Sequence, residues 1–215
     1  DQHGILRGKT VIASSLASAF RGGVRIASSL LMKDTSHKTV FSVFSEENSS
    51  GMEGVRGAAD MLMVPDPQTF KILPWASKAG WMLCDLYYPD GRKVPFSVRH
   101  IYRDALARLE ARNSLFKAGL EVEFHLMRLE NDRLGLADAG QPGAPSEVSL
   151  THRGFNYLTE QNYDQVEPIM DILRANLQAI GMDISSLEIE FGPSQVEIVF
   201  NPALGLRPAD DMVLF

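Results

Sequence analysis

With 215 residues, 45% of them hydrophobic, the chain can bury a sizeable core and is long enough for one large or two small domains. A formal net charge of -6 without any block of Lys or Arg speaks against nucleic acid and anionic membrane as partners, since both need a basic surface. Cys84, the one cysteine, excludes an intrachain disulfide framework and points to a reducing cytoplasm, and no apolar run approaches the ~18 residues of a membrane span.

The first residues, Asp1-Gln-His-Gly4-Ile-Leu-Arg-Gly8-Lys9, begin as if a strand had just ended, so a start upstream of Asp1 is expected. Gly4, Gly8, Lys9 and Thr10 imitate a phosphate-binding loop, but three residues separate the glycines where the cradle needs four. Lys9 therefore reads as a solvated turn residue. Val11 to Phe20 reads as a short helix, and the β-branched and aromatic clusters of residues 24 to 44 read as strands broken near Lys33-Asp-Thr-Ser36. Ser45 to Gly51 is a polar loop by composition. Met61 to Val64 and Trp81 to Tyr88 read as further strands, with turns at Pro65-Asp66-Pro67 and Asp90-Gly91. The apolar Met61, Leu62, Met63, Trp75 and Trp81 read as core or subunit contacts rather than a cofactor box.

A boundary is expected near Pro95. Ser97 then stands as N-cap of a helix whose Val98, Ile101, Tyr102, Ala105, Leu106 and Leu109 recur at helical spacing. In the next stretch Leu120, Val122, Phe124 and Leu126 alternate with Glu121, Glu123 and His125, as a strand buried on one face requires. Asn131 to Ser149, rich in Gly, Ala, Asp and Pro, reads as a surface excursion. Asp164 is expected to open an amphipathic helix with Val166, Ile169, Met170, Leu173, Leu177 and Ile180, closed by Gly181. A second acidic pattern follows: Leu187, Ile189 and Phe191 against Glu188 and Glu190, a Gly192-Pro193-Ser194 turn, then Gln195 and Glu197 against Val196, Ile198 and Phe200.

Three such strands would converge four or five carboxylates on one surface. Like charges on neighbouring strands repel, so an acidic face of this density calls for a cation, and a hard divalent ion suits oxygen ligands without thiolate. A solvated sheet face is the alternative that periodicity leaves open. His125, alone on its strand, reads as a structural hydrogen-bonder.

Gly119-x-Glu121-x-Glu123-Phe124 and Glu190-Phe-Gly-Pro-Ser-Gln195-Val-Glu197 resemble the paired metal-binding signatures of the glutamine synthetase family. Ala59-Asp60 through Thr69, Pro74-Trp75, Arg153 to Asp164 and Asn201-Pro202 fit the same family in order and spacing. The resemblance implies an α+β fold, with a β-grasp domain over residues 1–95 and, over 96–215, the first part of a catalytic domain built on an antiparallel sheet with flanking helices. It also implies ATP-dependent joining of the glutamate γ-carboxylate to ammonia or an amine through γ-glutamyl phosphate, with Mg²⁺ or Mn²⁺.

By motif position, Glu123, Glu190 and Glu197 would hold one ion beside glutamate, and Glu121 would help hold a second beside the ATP phosphates. Glu188 lies outside the motif and would be a neighbour. Tyr157, placed gap-free from Asp164, falls at a family tyrosine near the ammonium and glutamate pocket, with a structural tyrosine as the alternative. The family loop that supplies an Asp to ammonium corresponds to Ser45–Gly51, where the nearest acids are Glu46 and Glu47; Glu46 is assigned that role, and the departure points toward an amine acceptor. A homo-oligomer, a dodecameric double ring, is implied as well. Pro208 to Phe215 reads as a helix cut short, so an N-terminal portion of a longer enzyme is expected, inactive alone. Two other readings remain: a non-catalytic regulatory or structural relative, against which the four motif glutamates weigh, and a simple acidic metal-binding β domain.

Overall fold

The computed structural model describes residues 1, 3–45, 52, 54–140 and 142–215. It mixes helices with antiparallel sheets in two compact units, one of Asp1–Lys71 with Gly80–Leu115 and one of Ile72–Ala79 with Phe116–Phe215. Helix α2 falls in the first of these, so the units part at Leu115, some twenty residues beyond Pro95.

The first unit contains helix α1 (Leu16–Gly22), strands β1 (Val24–Ala27) and β2 (Asp60–Pro65), the first residue of the short strand β3 (Lys71–Ile72), strands β4 (Gly80–Trp81) and β5 (Cys84–Tyr87), and helix α2 (Val98–Glu110). Its main sheet has the order β1-β2-β5 with both pairings antiparallel. Alternation along β2 turns Met61 and Met63 inward, where they meet Ile26, Leu31, Met32, Val55, Tyr88 and Val94. Gly23 joins α1 to β1 at φ 69°, and a Cβ there would lie 3.1 Å from the Leu62 side chain and 3.2 Å from the Met63 carbonyl. Only glycine satisfies both demands.

The expected second strand after Lys33 does not form. Lys33 and Thr39 make one isolated bridge, the Val40 N–H is taken by the Met32 carbonyl, and Val40, Phe41 and Phe44 lie exposed. β-branched composition reports a fit to a pleated, half-buried surface, and without a partner edge it produces no strand. Trp75 is exposed rather than core, and residues 82–83 interrupt the strand expected from Trp81 to Tyr88.

Helix α2 also departs from its expected packing. Ser97 occupies the N-cap but makes no capping bond, and Val98 and Ile101 of the apolar stripe are more than half exposed. Tyr102, Ala105, Leu106 and Leu109 of the stripe are half-buried, and they share the inward side with His100, whose Nε2 donates to the Leu86 carbonyl at 2.9 Å, and with two arginines. Arg99 reaches Asp85 at 2.7 Å and Asp66 at 2.8 Å; Arg103 reaches the same carboxylates at 2.5 and 3.3 Å. Burial pushes the Asp66 carboxyl up, but hydrogen bonds from Arg99 and the Gln68 N–H, with the arginine charges, hold it below the usual range. Beside this network, burial first and then the Asp85 charge push the Cys84 thiol up to about 11, which leaves it protonated and unreactive.

The second unit contains β6 (Lys117–His125), β7 (Met127–Leu129), β8 (Val148–Leu150), helix α3 (Glu160–Ala179), β9 (Ile184–Ile189), β10 (Gln195–Leu204) and helix α4 (Arg207–Leu214). The main sheet has the order β6-β10-β9, antiparallel throughout, and the Asn131–Ser149 excursion is tied at its base by the β7–β8 pair. Val166, Met170 and Leu177 of α3, with Ile180 and Met182, pack on Val122, Ile189, Val196, Ile198 and Phe200 of the sheet. Phe215 closes one end, edge-on to Phe124 and Phe200.

α3 starts at Glu160, four residues before Asp164, and its first turn carries the buried polar Asn162, which no apolar periodicity announces. Its end matches expectation. Gly181, at φ 81°, donates to the Gln178 carbonyl and Met182 donates to that of Leu177, the paired bonds that satisfy the last carbonyls of a helix.

Candidate metal centre

Strand β10 runs between β6 and β9, and its register sets the acidic residues in a row. Glu197 lies opposite Glu123 on one side and opposite Glu188 on the other. Because Val196, Ile198 and Phe200 face the core, Gln195 and Glu197 must fall on the other face, together with Glu121, Glu123, His125, Ser186 and Glu188. Glu190 follows the end of β9 and turns back over the row. Carboxylate oxygens of Glu123, Glu190 and Glu197 come within 4.8 Å of one another.

Glu121 is not part of this group, since it stands two residues along β6, opposite Val199. Glu188 is in the row but its carboxylate accepts a hydrogen bond from the Ser186 hydroxyl at 2.6 Å. His125 Nδ1 donates to the Pro193 carbonyl at 2.8 Å, a structural bond. Glu46 lies outside the described residues.

The turn after Glu190 is held from outside by a loop. Ser194 is fully buried at φ 59°; its N–H donates to the His152 carbonyl and its hydroxyl accepts the Thr151 N–H. His152 Nε2 donates to the Gln195 carbonyl while Nδ1 accepts the Gly154 N–H, so the ring is neutral, and burial lowers its pKa in the same sense. Gly154, at φ 73°, lets the backbones touch: a Cβ there would lie 2.5 Å from the Pro193 nitrogen. The N–H groups of Phe155 and Leu158 then donate to the carbonyls of Phe191 and Ile189. These bonds carry Tyr157 to the edge of the acidic surface. Partial desolvation first, then the charges of Glu190, Glu188, Glu197 and Glu121, push its phenol up.

The cluster is electrostatically incomplete by itself. Burial first, then a hydrogen bond to Glu190 and the charges of Glu190, Glu121 and Glu188, push the Glu197 carboxyl from 4.5 up to about 7. Three carboxylate oxygens gathered within 4.8 Å of one another are close enough to share one divalent ion. The donor set, all oxygen and all anionic, fits Mg²⁺ or Mn²⁺.

This shift fixes a pH dependence. Between pH 4.5 and about 7 the native state binds a proton at Glu197 that the unfolded chain has released, so metal-free stability is greatest below this window and falls as pH rises through it. The urea midpoint of the metal-free protein is expected to drop from pH 5 to pH 8 more steeply than that of Glu197→Gln. Equal slopes for the two proteins would contradict the assignment.

Residues 96–215 match the family model described as glutamine synthetase, catalytic domain. The whole chain is 35% identical to the γ-glutamylanilide synthase of an Acinetobacter species over 220 residues, spanning 44% of that protein. It is 27% identical to a glutamate–isopropylamine ligase of a Pseudomonas species, over 99% of this chain and 44% of the relative. A solved structure titled a novel glutamine synthase homolog superposes with a TM-score of 0.73 at 19% identity, over 98% of this chain and 44% of the other. The chain thus spans less than half the length of the relatives it matches, and it belongs to the glutamine synthetase family.

Proposed function

We propose that the chain is the N-terminal portion of an ATP-dependent ligase that joins the γ-carboxylate of glutamate to an amine through γ-glutamyl phosphate. The observation that carries the reading is the meeting of Glu123, Glu190 and Glu197 on one sheet face, in a chain of this family. Glu123, Glu190 and Glu197 hold one divalent ion, and Glu121, displaced along β6, contributes to a second toward the nucleotide. When bound, such ions neutralise the charge that gathers as an anionic carboxylate attacks an anionic phosphoryl group.

The chain's own groups orient and screen. The row of carboxylates attracts an ammonium or organic amine to the surface, and Tyr157, at its edge, borders the acceptor. Glu46 acts on the acceptor from the Ser45–Gly51 loop. An organic amine is the acceptor in this reading, supported by that loop, which offers glutamates where the family has an Asp, and by relatives named for aniline and isopropylamine. Residues 1–95 form the β-grasp domain, residues 96–215 open the catalytic domain, and the full-length protein is a homo-oligomeric, dodecameric double ring.

Phosphate release by the full-length protein with glutamate and ATP, measured across ammonia, methylamine, ethanolamine, putrescine, isopropylamine and aniline, is the test. Turnover with at least one organic amine above that with ammonia is expected. Ammonia preferred by a hundredfold, about 2.7 kcal/mol of transition-state discrimination, would end the amine reading. Release with none of them would end the ligase reading.

A further inference from the structure

We propose that Gln195 is a positioning residue of the metal centre, which presents Glu123 to the ion by holding its carboxylate in one orientation; this rests on the reading that the three-glutamate cluster binds a divalent cation. Gln195 lies two residues before Glu197 on β10, on the same face, and opposite His125 of β6. Its Nε2 donates to Glu123 Oε2 at 2.6 Å, and its Oε1 accepts the Gly192 N–H at 2.8 Å. Donor and acceptor ends are thereby both assigned, and the amide cannot flip without setting oxygen against carboxylate and NH₂ against N–H.

The main chain of the same residue is equally committed. Its carbonyl accepts from Glu190 N–H at 3.0 Å and from His152 Nε2 at 3.2 Å, and its N–H donates to the Gly192 carbonyl at 3.1 Å. One residue therefore ties together the strand of Glu123, the turn that aims Glu190 and the strand of Glu197. Gly192 is part of the device, because a Cβ at that position would lie 2.4 Å from Gln195 Oε1. The space is filled by the amide.

A charge-assisted bond to one oxygen of Glu123 leaves the other oxygen for the ion and removes the rotamer freedom that binding would otherwise have to quench. Glutamine does this where glutamate cannot: a carboxylate at 195 would keep the bond from Gly192 but face Glu123 with like charge. No further negative charge is added to a cluster that already repels itself.

The test is a double-mutant cycle on the full-length protein, read as Mn²⁺ affinity by electron paramagnetic resonance without nucleotide or glutamate. Gln195→Met is isosteric and cannot donate; it is expected to weaken Mn²⁺ binding tenfold or more. In a Glu123→Gln background the same change is expected to matter less than twofold, because the carboxylate it acts through is gone. An undiminished effect in that background, or Gln195→Met binding as tightly as wild type, would overturn the proposal. Should Gln195→Met fail to fold, Gln195→Asn takes its place in the cycle with the same expectation. Its amide is one carbon too short to reach Glu123. A wild-type protein that binds no Mn²⁺ would overturn the metal reading itself and this proposal with it.

Discussion

Glu197→Gln is expected to lower amine-dependent turnover of the full-length protein by a thousandfold or more, while its metal-free form unfolds at higher urea than wild type at pH 8. The loss follows from removing the ligand at the centre of the row, where transition-state charge neutralisation by a bound ion is worth roughly 4 kcal/mol. The gain follows from the same position. Glu197 faces carboxylates on both neighbouring strands and is nearly buried, so ionising it strains the metal-free fold, and its neutral isostere relieves on the order of 1 to 3 kcal/mol. Activity and stability thus move in opposite directions. A variant that lost both together would show that Glu197 is a structural residue, and one that kept near-native turnover at limiting magnesium would show that it is no ligand.

In the first unit the largest effect is expected from Asp85→Ala. Asp85 takes both Arg99 and Arg103, and its side chain is only 10% exposed. Truncation removes the carboxylate that both guanidinium groups share, and breaking a buried pair from one side costs about 3 to 5 kcal/mol. The comparison is Lys93→Ala, which breaks the pair with Asp104 where both side chains are about half exposed and solvent replaces the partner. Urea unfolding of the two variants is expected to separate them clearly. Indistinguishable midpoints would mean that solvent reaches the Arg99 network and that α2 is held by something else.

The strands of the metal centre were legible because burial on one face imposes a period of two, and in β6 and β10 the glutamates fall on the solvent beats of that period. The α3 stripe and its Gly181 terminus were legible for the same kind of reason. Register was not: nothing local in the sequence says that Glu197 pairs with Glu123 and Glu188 at once, or that Glu121 is left two residues aside. Gln195 stood within the motif but its amide has meaning only once Gly192 and Glu123 are brought to it. His152 carries no pattern, and the turn reading of Ser194 says nothing of its burial, since a buried polar residue is specified by its partners. Arg99 and Arg103 failed in the opposite way. Charged residues on a helix read as its wet face, and here two of them point inward because Asp66 and Asp85 wait there. In residues 40–44 composition promised a strand, and the absence of an edge to pair with decided otherwise.

The order β6-β10-β9 also has a kinetic consequence. β9 and β10 are joined by a turn of five residues, whereas β6 finds β10 across a separation of about seventy, so closing the second contact costs roughly 2 kcal/mol more chain entropy. Of these three strands, the last to leave the ribosome is the one that must enter between the other two. Until it does, Glu123 waits on an unpaired edge, far from Glu190 and Glu197, and non-local pairing of this kind is slow. The metal centre is therefore a product of the late step in folding, and no early intermediate with β9–β10 alone can hold all three of its carboxylates together.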